Sequence, residues 1–471
     1  GITYAKGASV LKQLVYYVGR EKFFQGINQY LNKYAYSNAT LADLLHELEK
    51  ASGRDLKAWS AKWLEESGIN TIATEVEENA DGTIASLTLN QTAPAEHPVL
   101  RPHRLAVGFY DEDPATGKIV RTDRFELDVD GESTVVAAAA GKKRPAFILV
   151  NDDDLTYTKL RFDADSLSFA LANLQRFDDA LARAVVWLSL WDMTRDGDLA
   201  AEKFIDTTLA LLATETESTT FRYALSCMST TAWHYTAPDR RADVVKHVAK
   251  ELWKLVIAAP GGSDQQFQLV TAYLGYGEEG DAEFAEHAQG LFDGSLIVAG
   301  LEIDNNFTWT IINALSSVKL IDQAGIDAQL AKRDTTENRE FALGAHAVRG
   351  DAAAKEWAWN EALNNADLTN MQLEAVARGF GATPRPDLAE PYAAKYYDVV
   401  DWVWKNKSFH MAEALLEGLY PYYADPATLV ELGHRWLADH EDADNALKRI
   451  VRGNVESSQR TLKVRDFNAA L

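Results

Sequence analysis

Cysteine is all but missing. Cys227 is the only one in 471 residues, which excludes an intrachain disulfide and any multi-cysteine zinc site and fits a reducing compartment. Basic side chains are also short, 47 Lys and Arg against 70 Asp and Glu, for a net charge of −23. Such a chain repels phosphate backbones and anionic lipid, so nucleic acid and membrane surfaces are not expected partners. No stretch reaches about eighteen uninterrupted apolar residues, and no basic region precedes an apolar signal core. Cytoplasm is the expected location. Low-complexity tracts are missing too: 47% hydrophobic and 25% charged residues are ordinary globular usage and exclude intrinsic disorder. At roughly 100–200 residues per domain, the length allows two to four domains.

The charge is uneven. Residues 1–70 hold nine of the basic and seven of the acidic side chains, a balance of +2, which leaves −25 on the remainder. In that first segment Val10, Leu11, Leu14, Val15 and Val18 fall at helical spacing and stop at Gly19, and Phe23, Phe24, Ile27, Tyr30 and Leu31 repeat the pattern. Thr40 followed by Asp43 forms a capping box before Leu41, Leu44, Leu45 and Leu48, and Leu56, Trp59, Trp63 and Leu64 make a fourth helix ending at Gly68. The period then changes to two. Ile72/Thr74/Val76, Ala85/Leu87/Leu89, Leu105/Val107/Phe109 and Phe125/Leu127/Val129 alternate between turn signals, and Thr134–Ala140 and Phe147–Val150 add strands, as in a small β-sandwich closing near Leu160. From Asp165 the helical period returns and persists, in segments such as Phe169–Trp191, Leu199–Leu212, Phe221–Trp233, Val244–Ile257 and Tyr392–Trp404. About fifteen helices with short connections predict antiparallel pairs stacked as a HEAT- or armadillo-like superhelix. The expected fold class is multidomain α+β: a helical part over 1–70, a β-sandwich over 71–160 and an all-α superhelical domain over 161–471.

Most reactive chemistry is missing as well. The ten histidines contain no pair four apart, so no helix offers two imidazoles to one metal; His46-Glu47 is followed by Lys50 and His440-Glu441 by Asp444 where a second His is needed. His247 and Glu251 share a helical face but read as a solvated pair. No Gly-rich phosphate loop and no Gly-x-Ser-x-Gly elbow occurs. Cys227, beside Leu225 and Met228, reads as a small buried hydrophobe, and Trp359-Asn360-Glu361 as an apolar anchor with solvated neighbours. Asn151-Asp152-Asp153-Asp154 has oxygen ligands without the spacing of a calcium loop and reads as a solvated turn or a helix-dipole partner. What remains is Tyr4, in Ile2-Thr3-Tyr4-Ala5-Lys6-Gly7-Ala8-Ser9-Val10-Leu11. Gly7 costs about 1 kcal/mol against Ala inside a helix, which suggests close packing there. Taken alone, a Tyr at a helix start is a packing residue.

The stretch Thr3-Tyr4-Ala5-Lys6-Gly7-Ala8 with Val10-Leu11 resembles the Tyr-x-Lys-Gly-Ala segment of the zinc aminopeptidase N family, the gluzincin metalloaminopeptidases. Trp63-Leu64 with Gly68, and Trp191-Asp192-Met193 with Arg195-Asp196-Gly197, match the same family in the same order. Asn151-Asp152-Asp153-Asp154-Leu155-Thr156-Tyr157 with Lys159 is similar to the sandwich-to-helix junction of actinobacterial members, and Asn445-Ala446-Leu447-Lys448-Arg449 to their C-terminal helices. The resemblance makes residues 1–70 the helical end of a thermolysin-like catalytic domain. It implies that Tyr4 is the catalytic tyrosine, donating a hydrogen bond to the oxyanion of the tetrahedral intermediate while zinc polarises the same carbonyl. The family's Gly-Ala-Met-Glu-Asn segment and His-Glu-x-x-His with its later Glu ligand have no counterpart here. With the Gly1-Ile2-Thr3 opening, this suggests the C-terminal portion of a longer enzyme, holding no zinc and having no activity by itself.

Short peptides are the expected ligands, held within a helical bowl. The expected state is a monomer, with non-physiological self-association through Tyr16, Tyr17, Phe23 and Phe24. A second reading is a non-catalytic helical-repeat module that binds a peptide or protein segment.

Overall fold

The computed structural model describes residues 2–471, with side chains from Tyr4 onward. Two compact units divide within the helix Ala180–Asp196: the first ends at Met193 and the second is Thr194–Leu471.

The first unit opens with α1 (Ile2–Val18), α2 (Arg20–Lys33), α3 (Leu41–Ser52) and α4 (Leu56–Ser60), the last continued by a π-turn over Ala61–Glu65. The Thr40/Asp43 box is made in both directions: Thr40 Oγ1 accepts from the Asp43 N–H while the Asp43 carboxylate accepts from the Thr40 N–H. Val10, Leu14 and Val18 of α1 bury against Leu45, Leu48, Leu56, Trp59 and Trp63 in one core. Gly26 lets α2 approach α3, because a Cβ there would stand 2.8 Å from Leu48 Cδ2.

Seven strands follow: β1 (Thr71–Glu78), β2 (Ile84–Thr92), β3 (His103–Glu112), β4 (Ile119–Val129), β5 (Ser133–Val135), β6 (Phe147–Val150) and β7 (Lys159–Arg161). They form a four-stranded sheet ordered β5-β2-β1-β7 and a three-stranded sheet ordered β4-β3-β6, antiparallel except for β1 and β7. A ring nitrogen of His103 on β3 reaches Gln91 Oε1 on β2 at 2.9 Å, tying one sheet to the other, and its second nitrogen lies 2.7 Å from Thr156 Oγ1. Arg101 closes the seam to the helices. Its buried guanidinium donates to the carbonyls of Lys62, Glu66 and Ser67, the acceptors left over where the π-turn ends.

Two sequence expectations need correction. The strand expected over Thr134–Ala140 is only three residues, followed by a 3₁₀ turn at Ala137–Ala139, since a run of alanines has no branched side chain to favour the pleat. The single helix expected over Phe169–Trp191 is two, Ala164–Asn173 and Ala180–Asp196. Phe177 breaks it: the ring is buried between Tyr110 and Phe147, and its backbone bridges Ile119 of β4. Asp179 then caps the restarted helix by accepting from the Ala182 N–H.

The second unit is all helical. Alternate helices pack in a row, Ser218–Thr230, Asp264–Tyr273, Asn305–Ser317, Thr336–Ala347, Asn370–Gly381, Phe409–Gly418 and Asn445–Ala469, and the last of these returns to contact Thr231–Tyr235 beside the first. Glycines permit the closest approaches. A Cβ on Gly379 would stand 2.6 Å from the Gly344 carbonyl oxygen, and one on Gly418 would meet Ala377 Cβ at 2.8 Å. Lys355 stitches the same row, donating to the carbonyls of Ala347, Gly379 and Phe380 and to the Thr383 hydroxyl.

Burial of His103, next to the Arg101 charge, pushes its pKa down to about 3, whereas an unfolded histidine titrates near 6.5. The unfolded chain therefore takes up a proton that the folded one refuses, and stability is whole above about pH 6.5 and lost as pH falls toward 3. Urea midpoints measured from pH 7 to pH 4 should decline, and His103→Gln should flatten that decline. An unchanged slope in the variant would show that other groups carry it.

Candidate functional site

Helix α1 has two faces. Val10, Gln13, Leu14 and Val18 are buried, while Tyr4, Ala8 and Leu11, at i, i+4 and i+7, point away from that core. Tyr4 stands on the first turn and is 86% exposed. Its phenol makes no hydrogen bond or ring contact among the described residues. The close packing expected at Gly7 is likewise absent: nothing among the described residues lies within 4 Å of where its Cβ would stand. On α2, Phe24 and Leu31 extend the bare apolar surface, whereas Tyr17 is half-buried, stacked on Trp59 and covered by the Arg54 guanidinium at 4.3 Å.

The helix that carries Tyr4 is held from the opposite side by the Asn151–Asp154 turn. Lys12 Nζ donates to the Asp153 carbonyl at 3.0 Å and lies 3.7 Å from the Asp154 carboxylate. Gln13, buried, accepts from the Thr156 hydroxyl, which also meets His103. The turn is no solvated loop. Asp152 is buried, accepting from the Tyr110 hydroxyl at 2.6 Å and from Arg121 at 2.7 Å; Asp153 pairs with Arg121 and Arg124. The two guanidiniums hold Asp153 below the usual carboxylate range, while burial raises Asp154. Asn151, Asp153 and Asp154 all have positive φ, 59°, 64° and 54°, a conformation that costs non-glycine residues about 1–3 kcal/mol each and persists where surrounding bonds enforce it. Of the carboxylates that offered oxygen ligands, Asp152 and Asp153 are spent on arginine and tyrosine, and Asp154 pairs with Lys12.

The other candidates are accounted for locally. His247 pairs with Asp206 at 2.9 Å and Glu251 with Lys254, so the two do not act together. Cys227 and Trp359 are buried, as their sequence settings suggest. Among the described residues no group of three His, Cys, Asp or Glu side chains is arranged to hold a metal ion. Among the described residues no helix is long and apolar enough to cross a membrane.

Residues 1–63 match the Peptidase family M1 domain, and residues 147–460 match the ERAP1-like C-terminal domain, about two thirds of the chain. Aminopeptidase N of Streptomyces lividans is 38% identical over 476 aligned residues, covering 100% of this chain and 55% of that protein. The chain belongs to the aminopeptidase N family. Aminopeptidase 2, mitochondrial, of Saccharomyces cerevisiae is 31% identical over 181 residues, 36% of this chain and 17% of its own, and Aminopeptidase M1 of Arabidopsis thaliana is 27% identical over 173 residues, 36% and 20%. The chain thus spans about half the length of the Streptomyces relative and a smaller share of the others. Tyr4 falls within the segment shared with the M1 domain, and the strained turn lies at the start of the segment shared with the C-terminal domain.

Sequence reading missed the partners of the acidic turn. Arg121, Arg124 and Tyr110 lie about 30–40 positions upstream, and the only available signal was a pair of arginines three apart within a strand otherwise bounded by turn residues. Asp152→Ala would leave a buried tyrosine hydroxyl unpaired and cost Arg121 one of its two carboxylates; a loss of about 2–3 kcal/mol is expected. A denaturant midpoint equal to that of the unaltered chain would show that the turn is not held by this bond.

Proposed function

We propose that this chain is the C-terminal portion of a zinc-dependent aminopeptidase that releases N-terminal residues from short peptides. Tyr4 is its catalytic tyrosine. The observation that carries the reading is an uncommitted phenol at the exposed start of a helix anchored on its other face, within the segment shared with the M1 peptidase domain. One pre-aimed donor at an oxyanion contributes about 2.7–4 kcal/mol to the transition state, provided it does not have to be reoriented when the charge develops. The buried core and the Lys12 and Gln13 contacts fix the axis of α1, which is the positioning such a donor needs.

Zinc, when bound in the complete enzyme, supplies the Lewis acid, and its ligands belong to family motifs that this chain does not carry. Residues 1–70 act as the helical end of the catalytic domain, 71–160 as the β-sandwich, and 161–471 as a superhelical wall that admits short peptides and excludes folded proteins. The closed row of alternate helices in the second unit supports that arrangement. The enzyme works as a cytoplasmic monomer, and the apolar faces bearing Leu11, Phe24 and Leu31 are covered by the remainder of the catalytic domain.

Two measurements test this. The 471-residue chain alone, incubated with aminoacyl reporters and zinc, should release no N-terminal residue; chelator-sensitive release would overturn the assignment of the zinc ligands elsewhere. In the full-length enzyme, Tyr4→Phe removes only the hydroxyl and should lower kcat about 100-fold or more at unchanged zinc content. Full turnover in that variant would return Tyr4 to a surface residue.

A further inference from the structure

In the second unit a cavity of about 410 Å³ is walled by Trp233, Glu278, Glu279, Val318 and Arg385, among others. Its size is that of a small-molecule site, which runs from about 300 to 1,000 Å³. Three of the segments around it are clasped together by charge. Arg385 donates to both oxygens of Asp387 at 2.8 Å and to Glu279 at 2.7 Å, and Lys319, next to Val318, lies 3.0 Å from the same Glu279 carboxylate. Lys319 is held in left-handed backbone, φ 62°, which persists where surrounding bonds enforce it. Two cations meet two carboxylates, so the clasp is neutral and fixes the walls it joins.

Glu278 stands outside that balance. It is half-buried and lines the cavity, yet its carboxylate makes no hydrogen bond and no ion pair within 4.0 Å among the described residues. Desolvation and then the Asp281 charge lift its carboxyl above the usual range, while the Arg241 and Lys246 charges lower it by less from beyond that distance. A partly desolvated carboxylate without a counter-ion is costly, and the cost falls when a cation joins it. Trp233, buried and stacked on Tyr276, puts an indole in the same wall, and aromatic rings attract organic cations. A metal ion takes several oxygen or nitrogen donors at once, and no group of three His, Cys, Asp or Glu side chains among the described residues is arranged for one. An alkylammonium needs one carboxylate and an apolar wall, which Trp233, Val318 and Pro384 supply.

We propose that Glu278 and Trp233 form a binding site for an organic ammonium group, carried by a free amine or by a lysine side chain of a peptide. The site lies wholly within the second unit and makes no use of Tyr4, so it stands or falls apart from the peptidase reading. Titration calorimetry of the 471-residue chain at pH 8, with ionic strength held constant by potassium chloride, should give saturable one-site binding for n-butylammonium chloride or for Nα-acetyl-lysine amide; the tighter of the two identifies the source. Their uncharged counterparts, 1-butanol and Nα-acetyl-norleucine amide, should bind at least tenfold more weakly. Glu278→Gln, which breaks no side-chain hydrogen bond in the structure, should weaken ammonium binding at least tenfold while the urea midpoint is kept. Glu431→Gln, at an exposed residue paired with Arg435, should bind as the unaltered chain does. No saturable heat with either ammonium, equal affinity for an uncharged counterpart, unchanged affinity in Glu278→Gln, or an equal loss in Glu431→Gln overturns the proposal.

Discussion

The first unit depends on one strained turn. Three consecutive carboxylates would ordinarily repel one another and stay in water, yet Asp152 is buried and Asp153 and Asp154 sit in left-handed backbone. What makes this tolerable is the supply of donors from β3 and β4: Tyr110, Arg121 and Arg124 compensate the charge where it is least solvated. The arrangement leaves the Asp153 carbonyl free to accept from Lys12 and places Thr156 against Gln13, so the cost of the turn is offset by a fixed seat for α1. Sandwich and helix are therefore one mechanical piece, and the exposed Tyr4 inherits its orientation from bonds made two to three helical turns away.

A comparable economy governs the second unit, through backbone rather than charge. Glycine in mid-helix is normally a loss of about 1 kcal/mol, but Gly379 and Gly418 let three alternate helices touch main chain to main chain, which no side chain permits. The carbonyls exposed where two of those helices end are then gathered by Lys355. Burial alone lowers this ammonium to about 7, yet it donates to three carbonyls and a hydroxyl at once, a set that favours the charged form. The lysine is consumed by structure.

Local signals were legible and distant ones were not. The Thr40/Asp43 box, the Gly19 stop and the alternation in β1 and β2 are all set by neighbours within a few residues, and each stands where the pattern puts it, whereas β3 is buried on both faces from Leu105 to Tyr110. The break at Phe177 was invisible because an apolar residue at helical spacing carries no sign that a sheet core will claim it. The acidic turn was misread for a related reason: whether Asp152 meets water or arginine is decided by strand pairing. Tyr4 lay beyond physical reading altogether. Nothing in its immediate sequence distinguishes a donor from a packing ring, and only resemblance to the aminopeptidase N family singled it out; in the structure its ring is exposed.

Charged side chains also tie distant segments together within each unit. At Asn151–Asp154 every charge is matched, and the result is rigidity delivered to α1. In the second unit Arg465, on the returning helix, donates to the His234 carbonyl and so joins segments more than 220 residues apart in sequence where the row closes on itself.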